Sequence, residues 1–167
     1  MNNIDFFKNI DQLPQPDKVA LGKAAGKLLH EASGSASIAF TKCIPTEDDY
    51  PSPDLEDRYF TAACLYCVWP SFAKRMKMEK VLWAMSHDLH DENVVKRLEH
   101  DLPIIFDYKW DGDNILPQKL YRLFRLIKDS GYAVDGPTLL ADLIEWGEPH
   151  QTVTLRWIRS MYRQPKR

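Results

Sequence analysis

The chain has 167 residues, 44% hydrophobic and 28% charged, with a formal net charge of −2 and a pI near 6.2. That is one ordinary domain, or two small ones sharing a core, with enough apolar residues for an interior. A membrane span is excluded, because no run of about 18 apolar residues exists. The opening "MNNIDFFKNIDQL" carries an early acid and lacks the cationic-then-apolar layout of an export signal. A cytoplasmic location is therefore expected, with Cys43, Cys64 and Cys67 as reduced thiols.

Taken in chain order, helical signals dominate and strand alternation is scarce, so the fold class is all-α. After the breaker "LPQP", Asp17 reads as the N-cap of a helix running to about Ala32, with Gly34 closing it. Gly22 and Gly26 sit four apart on it, spaced either to let another helix approach or merely to weaken this one. The segment "IAFTKCI" and the acidic, proline-bearing stretch 45–57 read as connections. A helix over about 55–68 ends before Pro70, and two more cover about 71–87 and 92–106. The turn-rich "DYKWDGDN" marks the boundary between an N-terminal bundle, 1–112, and a C-terminal one, 113–167. Beyond it three helices are expected, at about 116–129, 137–146 and 149–163, with Gly131 and Gly147 as stops.

Charge is unevenly spread. Residues 45–57 hold six acids and no base, whereas 116–167 hold nine bases against five acids. On the last predicted helix Val153, Trp157 and Met161 share one face and Arg156, Arg159 and Arg163 the other. On the helix "PQKLYRLFRLIKDS", Leu116, Leu120, Leu123 and Ile127 point inward and Arg122 and Arg125 outward. Lys23 and Lys27 are four apart on the first long helix. Such rows are ordinary solvated faces, or they track a phosphate backbone, since cations about 5–6 Å apart meet successive phosphates. Lys42 belongs to the same candidate set, and Lys74 and Arg75 of "KRMKMEK" are weaker members. No motif for reading bases accompanies them.

Catalytic motifs are sparse. Asp135 and Asp142, seven residues apart, could form an acid pair. Asp135 precedes "GP", however, and so reads as an N-cap, while Asp142 lies among leucines and needs a cation. The dipeptide His87–Asp88, with His30 upstream and Asp142 downstream, is similar to the ligand order of metal-dependent HD phosphohydrolases, the alternative enzyme reading. Cys64-x-x-Cys67 has no second pair, so both thiols read as core residues and neither metal nor cofactor is expected.

Residues 116–163, "LPQKLYRLFRLIKDSGYAVDGPTLLADLIEWGEPHQTVTLRWIRSMYR", resemble the C-terminal half of CasB. CasB is the small subunit of Cascade, the type I-E CRISPR surveillance complex. The likeness rests on a leucine/arginine helix, then a glycine followed by Val134–Asp135, then Leu139-Leu140-x-Asp142-Leu143 and Trp146. It closes on Trp157 and Tyr162, with Met161 in place of the usual phenylalanine. Upstream, "YFTAACLYCVWP" and "ALGKAAGKLLHEA" resemble the family's tyrosine–phenylalanine and Leu-Arg-Arg helices. In the second, Gly22 stands where the family has its first arginine, and only Lys23 keeps a charge.

The resemblance implies an all-α protein of two helical bundles without catalytic activity. It also implies a second copy of the chain, and contacts with the backbone and large subunits of the complex. Guide RNA and target DNA, on both strands, are the implied nucleic-acid partners. There such a subunit steadies the R-loop and the displaced strand, while base pairing supplies the specificity. The acidic stretch 45–57 would then face protein or solvent. Because the chain is mildly acidic, the free protein is expected to bind nucleic acid weakly and in a salt-sensitive way.

Overall fold

The computed structural model describes residues 1–147 and 151–163, and the chain is all-α. Helix α1 (Asn3–Asp11) starts on Asn2, whose side chain accepts from the Asp5 N–H, and it buries Phe6, Phe7 and Ile10. Helix α2 (Gln15–Lys23) begins after Pro14, with Pro16 in its first turn. Ser33 caps α3 (Gly34–Lys42) by accepting from the Ala36 N–H. Helices α4 (Pro53–Tyr66), α5 (Met78–His87) and α6 (Glu92–Phe106) follow, the last capped by Asp91. Helix α7 (Ile115–Asp129) buries Leu116, Leu120, Leu123 and Ile127, as its spacing requires. Helix α8 (Gly136–Glu145) is capped by Asp135, which accepts from the Thr138 N–H at 3.1 Å. Helix α9 (Thr152–Tyr162) completes the order, and the expected start of that helix at 149 lies outside the described residues.

Several expectations in the N-terminal half are corrected. The first long helix does not run to Ala32, and Asp17 lies inside its first turn rather than at its cap. It stops at Lys23, because Gly26 takes a left-handed conformation (φ +92°) that reverses the chain. Gly34 opens a helix instead of closing one, so "IAFTKCI" is largely helical. Helix α1 has no counterpart among the expected elements. Residues 71–77 are not helical. They run beside the α7–α8 connection, where the Met76 N–H donates to Ala133 O and the Asp135 N–H to Met76 O. At the other stops, Gly131 and Gly147 do have positive φ, as expected.

Packing is governed by two aromatic clusters. Phe40 meets Phe6 and Phe60 edge-to-face at 6.3 and 5.4 Å between α1, α3 and α4. Phe106, Trp146 and Trp157 form the second, with the two tryptophans 5.3 Å apart. Helix α8 joins them, lying against α1, α4 and α9, while α9 lies mainly along α5 and α7 against α6. Two glycines permit close contacts. A Cβ at Gly22 would meet the Cys67 carbonyl oxygen at 2.8 Å, and one at Gly136 would enter the Phe7 ring. The last carbonyls of α8 lack intrahelical partners, and Arg58 of α4 supplies them: its Nη1 donates to Ile144 O and lies 3.4 Å from Leu143 O.

Candidate nucleic-acid interface

Arg122 and Arg125 both project from the exposed side of α7. The Arg125 guanidinium lies 5.8 Å from the centre of the Tyr121 ring. Gly26 packs against the same tyrosine, its Cβ position 3.6 Å from Tyr121 Cβ. The chain reversal at Gly26 therefore delivers Lys27 to the flank of α7. Lys23 ends α2 and Lys27 lies beyond it, so the two lysines do not share a helix face as expected. Glu31 supports this junction. Its carboxylate accepts from the Leu28 N–H at 2.9 Å and from Asn114 Nδ2 at 3.0 Å. The Leu28 hydrogen bond, with help from Asn114 and the charges of His30 and Lys27, holds its pKa below the usual carboxylate range.

Arg159 is exposed on α9, opposite the buried Val153, Trp157 and Met161, whereas Arg163 is exposed but extended just past the end of the helix and so does not continue the expected row. Helices α7 and α9 make no extensive contact among the described residues. None of Arg122, Arg159 and Arg163 is in an ion pair among the described residues.

Three of the candidate cations have partners inside the protein. Lys42 pairs with Asp17 at 2.9 Å. Arg75 is half-buried, its guanidinium 3.6 Å from the centre of the Tyr66 ring, and it donates to the carbonyls of Tyr66 (3.1 Å) and Val134 (3.2 Å). Arg156 is held between two carboxylates: its Nε lies 2.6 Å from Glu79 Oε1 on α5, and its Nη2 bonds Asp142 Oδ1. Sequence spacing could not find these partners, because they lie beyond the helical repeat, on other elements of the chain. Lys74 is exposed.

Asp142 thus has the cation it was expected to need, and it also accepts from the buried Trp157 Nε1 at 3.0 Å. Burial pushes its pKa up to about 6 against the opposing pull of Trp157 and Arg156. The HD-type alternative is not assembled. Asp142 is engaged by Arg156 and Trp157, and His87 stacks on Trp83 at the end of α5, its Nδ1 3.0 Å from Trp83 O. Among the described residues no three His, Cys, Asp or Glu side chains are placed to hold a metal ion. The cysteines are free thiols. Burial pushes Cys43 and Cys67 up to about 12, well away from a reactive thiolate. No helix among the described residues is long and apolar enough to cross a membrane.

No protein-family profile and no curated protein matches the sequence. Solved structures do. A chain of a CRISPR RNA-guided surveillance complex superposes with a TM-score of 0.69 at 18% identity, covering 94% of this chain and 89% of that one. A CRISPR-associated protein of the Cse2 family from Thermus thermophilus gives 0.68 at 18% identity, over 95% and 94%. CasB from M. ruber gives 0.61 at 17% identity, over 94% and 90%. Over nearly its whole length, this chain has the fold of the CasB and Cse2-family structures.

Proposed function

We propose that the chain is a non-catalytic small subunit of a type I-E CRISPR surveillance complex, acting on the guide RNA–target DNA R-loop and the displaced strand in antiviral defence. The observation that carries this reading is the whole-chain likeness to CasB and Cse2-family structures. The motifs of residues 116–163 point to the same family from sequence alone. The exposed arginines supply the charge that sequence-independent backbone contacts require. Arg122, Arg125, Arg159 and Arg163, with Lys23 and Lys27, are the phosphate-contacting set. Lys42 and Arg156 join it only if they leave Asp17 and the Glu79–Asp142 pair. Backbone and large subunits, and a second copy of this chain, are its protein partners.

Co-expression with the other subunits and a guide RNA tests the assignment. The chain should co-purify with the RNA-loaded complex. Arg122→Glu/Arg125→Glu and Arg159→Glu/Arg163→Glu should each leave assembly intact and weaken target-DNA binding about tenfold or more. Failure to co-purify would sink the assignment, and unchanged DNA affinity in both double variants would sink the contact set. Arg156 is unsuited to this test, because reversing it also removes the cation that pairs with the buried Asp142.

A further inference from the structure

The loop between α2 and α3 carries two exposed cationic side chains, Lys27 and His30, and one exposed acid, Glu31. It begins where Gly26 turns the chain back with φ +92°, and it meets the start of α7 at two points. At one point a Cβ on Gly26 would lie 3.6 Å from Tyr121 Cβ and 3.7 Å from Gln118 Cα. At the other, both Glu31 oxygens accept from Asn114 Nδ2, at 3.2 and 3.0 Å, and Oε1 also accepts from the Leu28 N–H at 2.9 Å. The loop therefore runs back along the first turns of α7. A third tie comes from α4, where Asp57 accepts from the Leu29 N–H at 3.2 Å. Leu29–Glu31 form only a single 3₁₀ turn, which has little stability of its own, so these side-chain acceptors fix where the loop lies.

Glu31 is an acid in basic surroundings, within reach of the charges of His30 and Lys27. Tyr121, which Gly26 touches, also has the Arg125 guanidinium 5.8 Å from the centre of its ring, and Arg122 is exposed at the next position. Where those cations meet phosphates, the charge of a neighbouring carboxylate opposes binding. Its hydrogen bonds act the other way. They hold the backbone that carries Lys27, so less freedom is lost when a strand binds. The two effects have opposite signs, and substitution separates them.

We propose that Glu31 is a positioning residue: by tying the loop to Asn114 it holds Lys27 beside Arg122 and Arg125, and loop and helix form one cationic surface for the phosphates of a single strand. The proposal rests on the reading that the chain works on nucleic acid. It joins into one site two elements that lie far apart in the sequence, and it gives an acid a part in binding an anion.

The test measures binding of the full-length protein to a labelled oligothymidylate at low salt. Glu31→Gln keeps an acceptor oxygen for the Leu28 N–H and loses the charge, so it should bind about twofold more tightly. Glu31→Ala loses both and should bind about threefold more weakly, despite the more favourable net charge. Lys27→Ala should also weaken binding about threefold. In that background Glu31→Ala should weaken it no further, because the side chain it positions is gone. Asn114→Ala leaves the charge and the Leu28 bond in place and should lose about twofold, which keeps the test open if Glu31→Ala unfolds.

Glu31→Ala binding as tightly as Glu31→Gln would make the acid an opposing charge only and overturn the proposal. So would a loss that persists without Lys27, or an Asn114→Ala that binds like the wild type. Arg122→Glu/Arg125→Glu tells the proposal apart from the reading beneath it. If that double variant loses affinity while Glu31→Ala does not, the strand contact stands and the positioning role falls. If the wild type binds no oligothymidylate, or the double variant binds as well as the wild type, the contact at this surface fails and the positioning role with it.

Discussion

Asp142 and Arg156 show how a single ion pair separates structure from function at one residue. The arginine was legible in the sequence as one of a row on α9, and the aspartate as a buried acid in need of a cation. That each is the other's partner was not legible, because spacing along a helix says nothing of a neighbouring helix. Their removal should not be symmetrical. Asp142→Ala strands the buried Trp157 N–H but leaves Arg156 paired to Glu79, a loss of about 1–3 kcal/mol. Arg156→Ala leaves the buried Asp142 carboxylate without its cation and should cost about 2 kcal/mol at pH 8, discounted from a fully buried pair because the arginine is partly solvated. Urea unfolding of both variants measures the difference. Because the Asp142 pKa is raised, its protonated form is favoured by folding. The stabilising share present below about pH 4 is therefore lost as pH rises to about 6. The stability of the wild type relative to Asp142→Asn should fall across that window and level off above it.

Among the elements, those with strong amphipathic spacing and clear caps, α6, α7 and α8, were read from sequence nearly to their ends. The N-terminal helices were not, and the physical reason is local. Gly22, Gly26 and Gly34 have three different tasks that composition cannot tell apart. The first admits the Cys67 carbonyl against α2, the second reverses the chain, and the third opens α3 behind the Ser33 cap. Gly22→Ala should destabilise the protein by about 1–2 kcal/mol in thermal unfolding, since the crowding of a backbone oxygen outweighs alanine's better helix propensity. Asp135→Ala should cost about 1 kcal/mol by uncapping α8. A melting temperature unchanged by both would show that neither contact bears on stability.

For the molecule as a whole, a net charge of −2 sets a limit on what the free chain does. With few exposed cations to meet a given strand, affinity for single-stranded DNA should be weak. It should fall with added salt at a log–log slope of about −2 to −3. A fluorescence-anisotropy titration from low to physiological salt measures this slope. Tight binding of the free protein at physiological salt would contradict it.

The seating of α9 along α5 also bears on biogenesis. The two helices are far apart in the chain, with α6, α7 and α8 between them, and α9 is the last described helix to leave the ribosome. Until it arrives, the face of α5 that it covers stays open to water and to other nascent chains. A protein cut after Gly147 should therefore bind a hydrophobic dye and depend on chaperones, whereas the full chain should do neither.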